Sequence, residues 1–183
     1  LHTEFSVVDG TTRIDEVVKA AAADGQPALA ITDLNNLFGA IKFYKEARGK
    51  GVKPVIGAEI MLEGLGADAT ALSRLVLLVQ SKQGYLNLSE LIARAYTQNV
   101  VKAQAVVKLA WLQELGEGLI ALSGAQAGPI GQALVQGDVA RAQGRQAAGF
   151  LLQKHINAVQ AGGQAPKVHV QPPAGVGVAK LGL

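Results

Sequence analysis

Cysteine is absent from this chain of 183 residues. Its absence excludes a disulfide framework, a thiolate metal site and a cysteine nucleophile. Long apolar runs are missing too, because no stretch approaches the ~20 residues that a membrane-spanning helix needs, and no signal-peptide pattern opens the chain. These absences predict a cytoplasmic protein with no membrane partner.

Strong charge of either sign is also lacking. The formal net charge is +3, and the basic residues are spread over helix faces, so composition alone does not predict nucleic-acid binding. One predicted helix carries Lys42, Lys45 and Arg48 on its polar side, which a solvated helix face explains better than contact with phosphate. Acidic residues end at Asp138, so the basic residues that follow it are unbalanced.

What is present is an alternation of buried strands and amphipathic helices. Hydrophobic residues make up 49% of the chain, which is enough for one core. Apolar runs predict strands at 28–32, 55–62, 74–80 and 119–122. Helical spacing predicts helices at 13–23, from about 37 to 49, at 85–96 and at 111–115. This alternation is typical of a wound or barrel α/β fold.

Residues 27–63 form the unit around which the chain is organised: a strand, a polar turn at 33–36, an amphipathic helix and a second strand. The predicted buried stripe of that helix consists of Leu37, Phe38, Ile41, Tyr44 and Ala47. Two strands joined by a helix pair in parallel through a right-handed crossover. Asp33 and Glu59 are therefore expected to face one pocket at the strand ends, where ligands bind in α/β folds.

The two ends of the chain differ from this pattern. Leu1 and His2 have the character of a strand whose beginning is missing, so the chain is expected to start within an element. From about residue 144 the sequence is rich in Gln, Ala, Gly and Val and has no clear amphipathic period. We expect residues 144–183 to form a divergent tail, either irregular and disordered or the product of a frame shift.

Four segments carry a family resemblance: LHTEFSVVDG, ALAITDLNNLFGAIKFYKEARGKGVKPVIGAEI, QGYLNLSELIARAY and WLQELGEGLIALSG. In this order they closely resemble the N-terminal PHP (polymerase and histidinol phosphatase) domain of bacterial replicative DNA polymerase III alpha subunits. The resemblance runs to about Ala142 and predicts a partial PHP domain at 1–143. It implies a distorted (β/α) barrel of about seven strands, which this chain would contain incompletely.

The resemblance also implies a metal site in some family members, built from His, Asp and Glu at several strand ends. His2, Asp9 and Glu59 match family ligand positions, and zinc or manganese would be the ion. Two positions depart from the pattern, since Leu34 and Arg74 stand where metal-binding relatives carry histidines. Asp33 and Arg74 are expected to line the same pocket.

Each candidate also has a structural interpretation. Asp33 could cap the following helix, Asp9 could be an ordinary turn residue before a glycine, and His2 could be a hydrogen-bonded core histidine. Glu59 is harder to dismiss, because a carboxylate inside a buried strand must be paired, protonated or bound to metal. Arg74 would repel a divalent ion, and we hypothesise that it pairs with Glu59 or Asp9 instead.

Two function classes follow from the resemblance. The first is a non-catalytic structural and interaction platform that needs no cofactor. Its partners would be other domains of the alpha subunit, the proofreading exonuclease subunit, and DNA through the parent protein. The second is a metal-dependent phosphoesterase. A truncated piece that performs neither role is a third interpretation, because a sheet stopped after about five strands leaves an unpaired edge.

Overall fold

The structure is a computed structural model that describes residues 1–64, 72–124, 126 and 128–144. Five helices and six strands are present in these residues. The helices are α1 (Ile14–Ala23), α2 (Ala40–Gly49), α3 (Lys82–Gln98), α4 (Leu109–Glu114) and α5 (Pro129–Val135). The strands are β1 (Ala28–Ile31), β2 (Lys53–Glu63), β3 (Ser73–Val79), β4 (Val100–Val101), β5 (Gln104–Lys108) and β6 (Leu119–Leu122). The predicted tail lies outside the described residues, apart from residue 144.

The long strand β2 is the centre of a mixed six-stranded sheet. Five of the strands have the order β4-β5-β2-β3-β6, and the sixth, β1, pairs with β2 outside this order. Its first half pairs in parallel with β1, as predicted, with Ile31 opposite Ile56. Its second half pairs in parallel with β5 and antiparallel with β3. β1 and β5 therefore follow each other along one edge of β2, and β3 occupies the other edge.

The described strands do not close into a barrel, because β4 and β6 are the outer strands of the main sheet. The α/β class is confirmed and the barrel prediction is not. A strict alternation of parallel strands and crossover helices fails in two places. β3 pairs antiparallel with β2, the strand that precedes it, and β4 and β5 form a hairpin that the sequence prediction missed. Lys102 and Ala103 turn that hairpin with positive φ, which neither residue type signals.

The buried stripe of helix α2 shares only Ala47 with the predicted one. Ala40, Phe43 and Ala47 face the core, whereas Ile41 and Tyr44 are exposed. The helix begins at Ala40 because residues 34–39 form a bridge and turns, so a stripe counted from residue 37 starts on the wrong phase. No helix of the described part is both long and apolar enough to cross a membrane.

Two apolar clusters stabilise the fold. The larger lies between the sheet and α3 and includes Ile60, Leu77, Leu88 and Leu91, all with no exposed surface. The smaller joins α1, α2 and β1 around Phe43. In β2 and β3 the residues of the larger cluster alternate with residues of the opposite face. That opposite face carries the charged residues.

Candidate functional site

Glu59 and Arg74 lie on the face of the sheet that α3 does not cover. Glu59 is paired with Val76 and Met61 with Arg74, so the two charged residues are diagonal neighbours on adjacent antiparallel strands. Diagonal neighbours are close enough for long side chains to meet. The sheet register therefore brings a carboxylate and a guanidinium together although they are fifteen residues apart in sequence.

A tight turn at residues 6–9 brings Asp9 to the same place. The Ser6 hydroxyl donates to Asp9 Oδ1 at 2.7 Å, and the Ser6 carbonyl accepts from the backbone amides of Asp9 and Gly10. A side chain at Gly10 would collide with the carbonyl oxygen of Thr3, which explains the glycine after Asp9. Ser6 Oγ also accepts from the backbone amide of Leu34 at 3.0 Å, which holds the turn against the end of β1.

His2, Asp9, Glu59 and Arg74 form a closed ring of polar contacts, here called the Arg74 cluster. His2 Nδ1 lies 2.9 Å from Asp9 Oδ1, and His2 Nε2 lies 3.3 Å from Glu59 Oε2. One guanidinium nitrogen of Arg74 donates to both carboxylates, to Asp9 Oδ2 and to Glu59 Oε2, at 2.9 Å each. The structure thus brings together four of the five residues that the sequence singled out.

The contacts of the Arg74 cluster favour the ionised forms of Asp9 and Arg74. Burial alone would raise the pKa of Asp9, but hydrogen bonds from Ser6, Arg74 and His2 outweigh it and hold that pKa below its usual value. Burial alone would lower the pKa of Arg74, and the hydrogen bonds to Asp9 and Glu59 raise it instead. Arg74 is therefore a permanent cation beside two carboxylates.

Asp33 is not the helix cap that one interpretation made it, and its place in the pocket stays a prediction. It is 1% exposed, and its carboxylate accepts from the backbone amide of Thr3 at 2.5 Å and from the Thr3 hydroxyl at 2.8 Å. It does not cap α2, whose N-cap position is Gly39 with no side-chain cap. Asp33 instead fixes the residue that follows His2, so it orients the Arg74 cluster from outside.

Asn35 is a structural residue that the sequence interpretation missed. Its φ is 53°, in the left-handed region that Asn tolerates better than most residues. Its side chain donates to the carbonyl of Ala105 on β5 and accepts from the amide of Met61 on β2. Its backbone amide donates to the Glu59 carbonyl at 2.7 Å. Asn35 therefore bridges the strands beside Glu59, and its only sequence signal is its place in a polar turn.

The cluster can be tested as a metal site from its own donors. His2, Asp9 and Glu59 each offer one atom, and these atoms lie within 4.8 Å of one another. Three protein donors with water as a fourth ligand are the usual set of a catalytic zinc, so the number of donors does not exclude an ion. The contacts of these donors do argue against one, because His2 contacts both carboxylates and the Arg74 guanidinium donates to both of them. As arranged, the described residues do not fit a divalent ion.

An apolar groove lies between α3 and the loop that follows β1, with a cavity volume of about 380 Å³. Its walls include Phe38 from the loop and Tyr85, Ile92 and Tyr96 from α3. Phe38 is 70% exposed. Apart from the two tyrosines, the groove residues carry no titratable side chain, so the groove has the character of a contact surface rather than of a reaction centre.

A family model described as "PHP domain" matches residues 1–159, which is most of the chain. The chain belongs to the PHP domain family. This PHP domain match extends past residue 143, where the sequence predicted the domain to end, and that boundary stays a prediction.

Curated relatives agree with this assignment. DNA polymerase III subunit alpha of Pseudomonas aeruginosa is 46% identical over 143 residues, and that of Vibrio cholerae is 46% identical over 140 residues. The subunit of Escherichia coli is 42% identical over 142 residues. The alignments cover 75% to 78% of this PHP domain chain. The chain spans only about 12% of the length of these relatives.

Proposed function

We propose that this chain is the PHP region of a replicative DNA polymerase III alpha subunit and that it serves there as a non-catalytic structural platform. The similarity to alpha subunits supports the first part. One observation carries the second: His2 contacts both Asp9 and Glu59, and Arg74 donates to both carboxylates, so the candidate ligands are engaged with one another or with a protein cation. Metal-assisted hydrolysis requires a bound ion with an open coordination position for water or substrate.

The proposed partners are the other domains of the alpha subunit, the proofreading exonuclease subunit, and DNA through the parent protein, in the cytoplasm. Exposed apolar side chains support a role in contacts between proteins or domains. Val7 and Val8 are 85% and 82% exposed beside the Arg74 cluster, and Phe38 projects at the apolar groove. We further propose that the sheet is part of a distorted PHP-type barrel, completed by strands that pair at its outer edges.

The test combines metal analysis with a turnover assay on the full 183-residue chain. Elemental analysis should find much less than one zinc or manganese ion per chain. Added zinc or manganese should give no release of p-nitrophenol from p-nitrophenyl phosphate. One tightly bound ion per chain, together with turnover that a chelator abolishes, would overturn the proposal. Glu59→Gln is the matched control, because turnover that persists in this variant belongs to a contaminant.

A metal-dependent phosphoesterase is the second candidate function. The observation that favours it is the convergence of His2, Asp9 and Glu59 within 4.8 Å. The same assay distinguishes the two candidates, since the phosphoesterase requires both the bound ion and the turnover.

We also propose that the folded unit ends near residue 143 and that residues 144–183 are a divergent tail. Thermal unfolding of the whole chain tests whether the part that precedes the tail folds by itself. A single cooperative transition supports a folded domain. The absence of any transition supports the interpretation as a truncated piece with unpaired sheet edges.

A further inference from the structure

A single nitrogen of Arg74 joins two parts of the chain that are distant in sequence. Asp9 belongs to the turn at 6–9, whereas Glu59 belongs to β2, and both carboxylates accept from the same guanidinium nitrogen at 2.9 Å. A cation that bridges two carboxylates supplies the kind of positive charge that a bound ion supplies in a metal site. Unlike an ion, Arg74 is part of the polypeptide and cannot dissociate.

We propose that the Arg74 guanidinium is the resident cation of this cluster, and that it holds the turn at 6–9 against the sheet with no need for metal. This inference rests on the proposed non-catalytic function. It assigns Arg74 a positioning role for Asp9 and Glu59. Arginine suits that role better than lysine, because its planar group offers several donors and remains charged at all physiological pH values.

The surroundings of the two carboxylates show why a cation is needed there. The side chain of Glu59 is 10% exposed and that of Asp9 is 27% exposed, so water screens Glu59 only weakly. Without Arg74, two carboxylates would lie around one imidazole with no permanent positive charge between them. Removal of one partner from a partly buried charge pair is more harmful than removal of both, because the remaining charge is left unpaired.

This asymmetry predicts that Glu59→Gln changes the melting temperature in opposite directions in the presence and in the absence of Arg74. In the wild-type background, Glu59→Gln should lower the melting temperature, because it removes a partner of Arg74. In the Arg74→Met background, Glu59→Gln should raise the melting temperature, because it removes one of two uncompensated carboxylates. Arg74→Met alone should lower the melting temperature by roughly 3–8 °C.

All melts use the full 183-residue chain in excess EDTA, so the outcome does not depend on metal. Arg94→Met is the matched control, because Arg94 also pairs with two carboxylates, Glu90 and Glu114, but these are 52% and 56% exposed. Exposed pairs contribute little, so this variant should change the melting temperature by no more than about 2 °C.

A destabilising effect of Glu59→Gln of equal size in both backgrounds would overturn the inference and leave the proposed function intact. Tightly bound metal with turnover in the wild-type chain would instead overturn the proposed function. Where Arg74→Met yields no folded protein, the double variant decides. Recovery of a cooperative transition by Glu59→Gln supports the inference, and failure of both variants to fold contradicts it.

Discussion

The two faces of the β2 and β3 pair are built on opposite physical principles. On the face under α3, Ala58, Ile60, Leu62 and Leu77 have no exposed surface and form one apolar cluster. On the other face, Glu59 and Arg74 are fixed by directional contacts with the N-terminal turn. The apolar face tolerates many arrangements of similar volume, whereas the charged face depends on each partner being present.

This difference means that the charged face, and not the apolar face, bears on what the domain can bind. Apolar contacts are non-directional, so the face under α3 reports only that the domain folds. The charged face depends on individual atoms, because Arg74 contacts Glu59 and Asp9 through one guanidinium nitrogen. The following predictions test how differently the two faces respond to substitution.

The largest effect is expected on the apolar face. Leu88→Ala removes a fully buried side chain of α3 and should lower the free energy of unfolding by about 2–5 kcal/mol. Urea denaturation measures the loss. Leu86→Ala, two residues away and 51% exposed, is the control and should change stability by less than about 1 kcal/mol. Equal losses in the two variants would show that α3 does not pack as described.

The next largest effect is expected on the charged face. Asp33→Ala leaves the buried amide and hydroxyl of Thr3 without an acceptor and should lower the free energy of unfolding by about 2–3 kcal/mol. Thr3→Val removes the hydroxyl and keeps the backbone bond, so its effect should be smaller. Denaturation of both variants under identical conditions ranks them, and the reverse order would contradict the assigned bonds.

A pH-dependent effect follows from Asp9. The folded state holds its pKa below the usual value of 3.8, so Asp9 contributes stability above that value and loses it as the pH falls through the folded pKa. Asp9→Asn should therefore make the acid-induced loss of stability shallower. Urea midpoints between about pH 3 and pH 6 test this. Asp24→Asn, an exposed carboxylate away from the cluster, should retain the wild-type profile.

The smallest effect concerns a polar atom on the apolar face. Ser73 is 1% exposed, and its hydroxyl oxygen has no hydrogen-bond partner in the described part of the chain. Ser73→Ala should leave stability unchanged or raise it by up to about 1 kcal/mol. Ser6→Ala is the contrasting variant, because the Ser6 hydroxyl contacts both Asp9 and Leu34, and it should lower stability. Chemical denaturation compares the two, and a clear loss in Ser73→Ala would contradict the prediction.

Much of the fold could be predicted from sequence because its signals are local. The apolar runs of β1, β2, β3 and β6 and the helical spacing of α3 depend on neighbouring residues alone. Other elements could not be predicted. The hairpin of β4 and β5 is turned by Lys102 and Ala103, which carry no turn signal, and the buried face of α2 depends on where the helix begins.

The site was accessible from sequence only as a set of candidates. His2, Asp9, Glu59 and Arg74 could be named from the family resemblance, and their convergence required the register of β2 against β3. The carboxylate of Asp33 accepts two hydrogen bonds from Thr3, a contact that the sequence interpretation did not include. No periodic pattern in the sequence predicts this contact, because it joins segments about thirty residues apart.

The sequence by itself determined the α/β class, the parallel pairing of β1 with β2, and the PHP family. The class and the pairing follow from local apolar patterns and from the geometry of short strand connections, and the family follows from the order of the four segments that resemble it. Only the tertiary structure decided that one nitrogen of Arg74 contacts both Asp9 and Glu59. Such a contact depends on strand register and on the path of the N-terminal turn, and these are set by the packing of the whole domain.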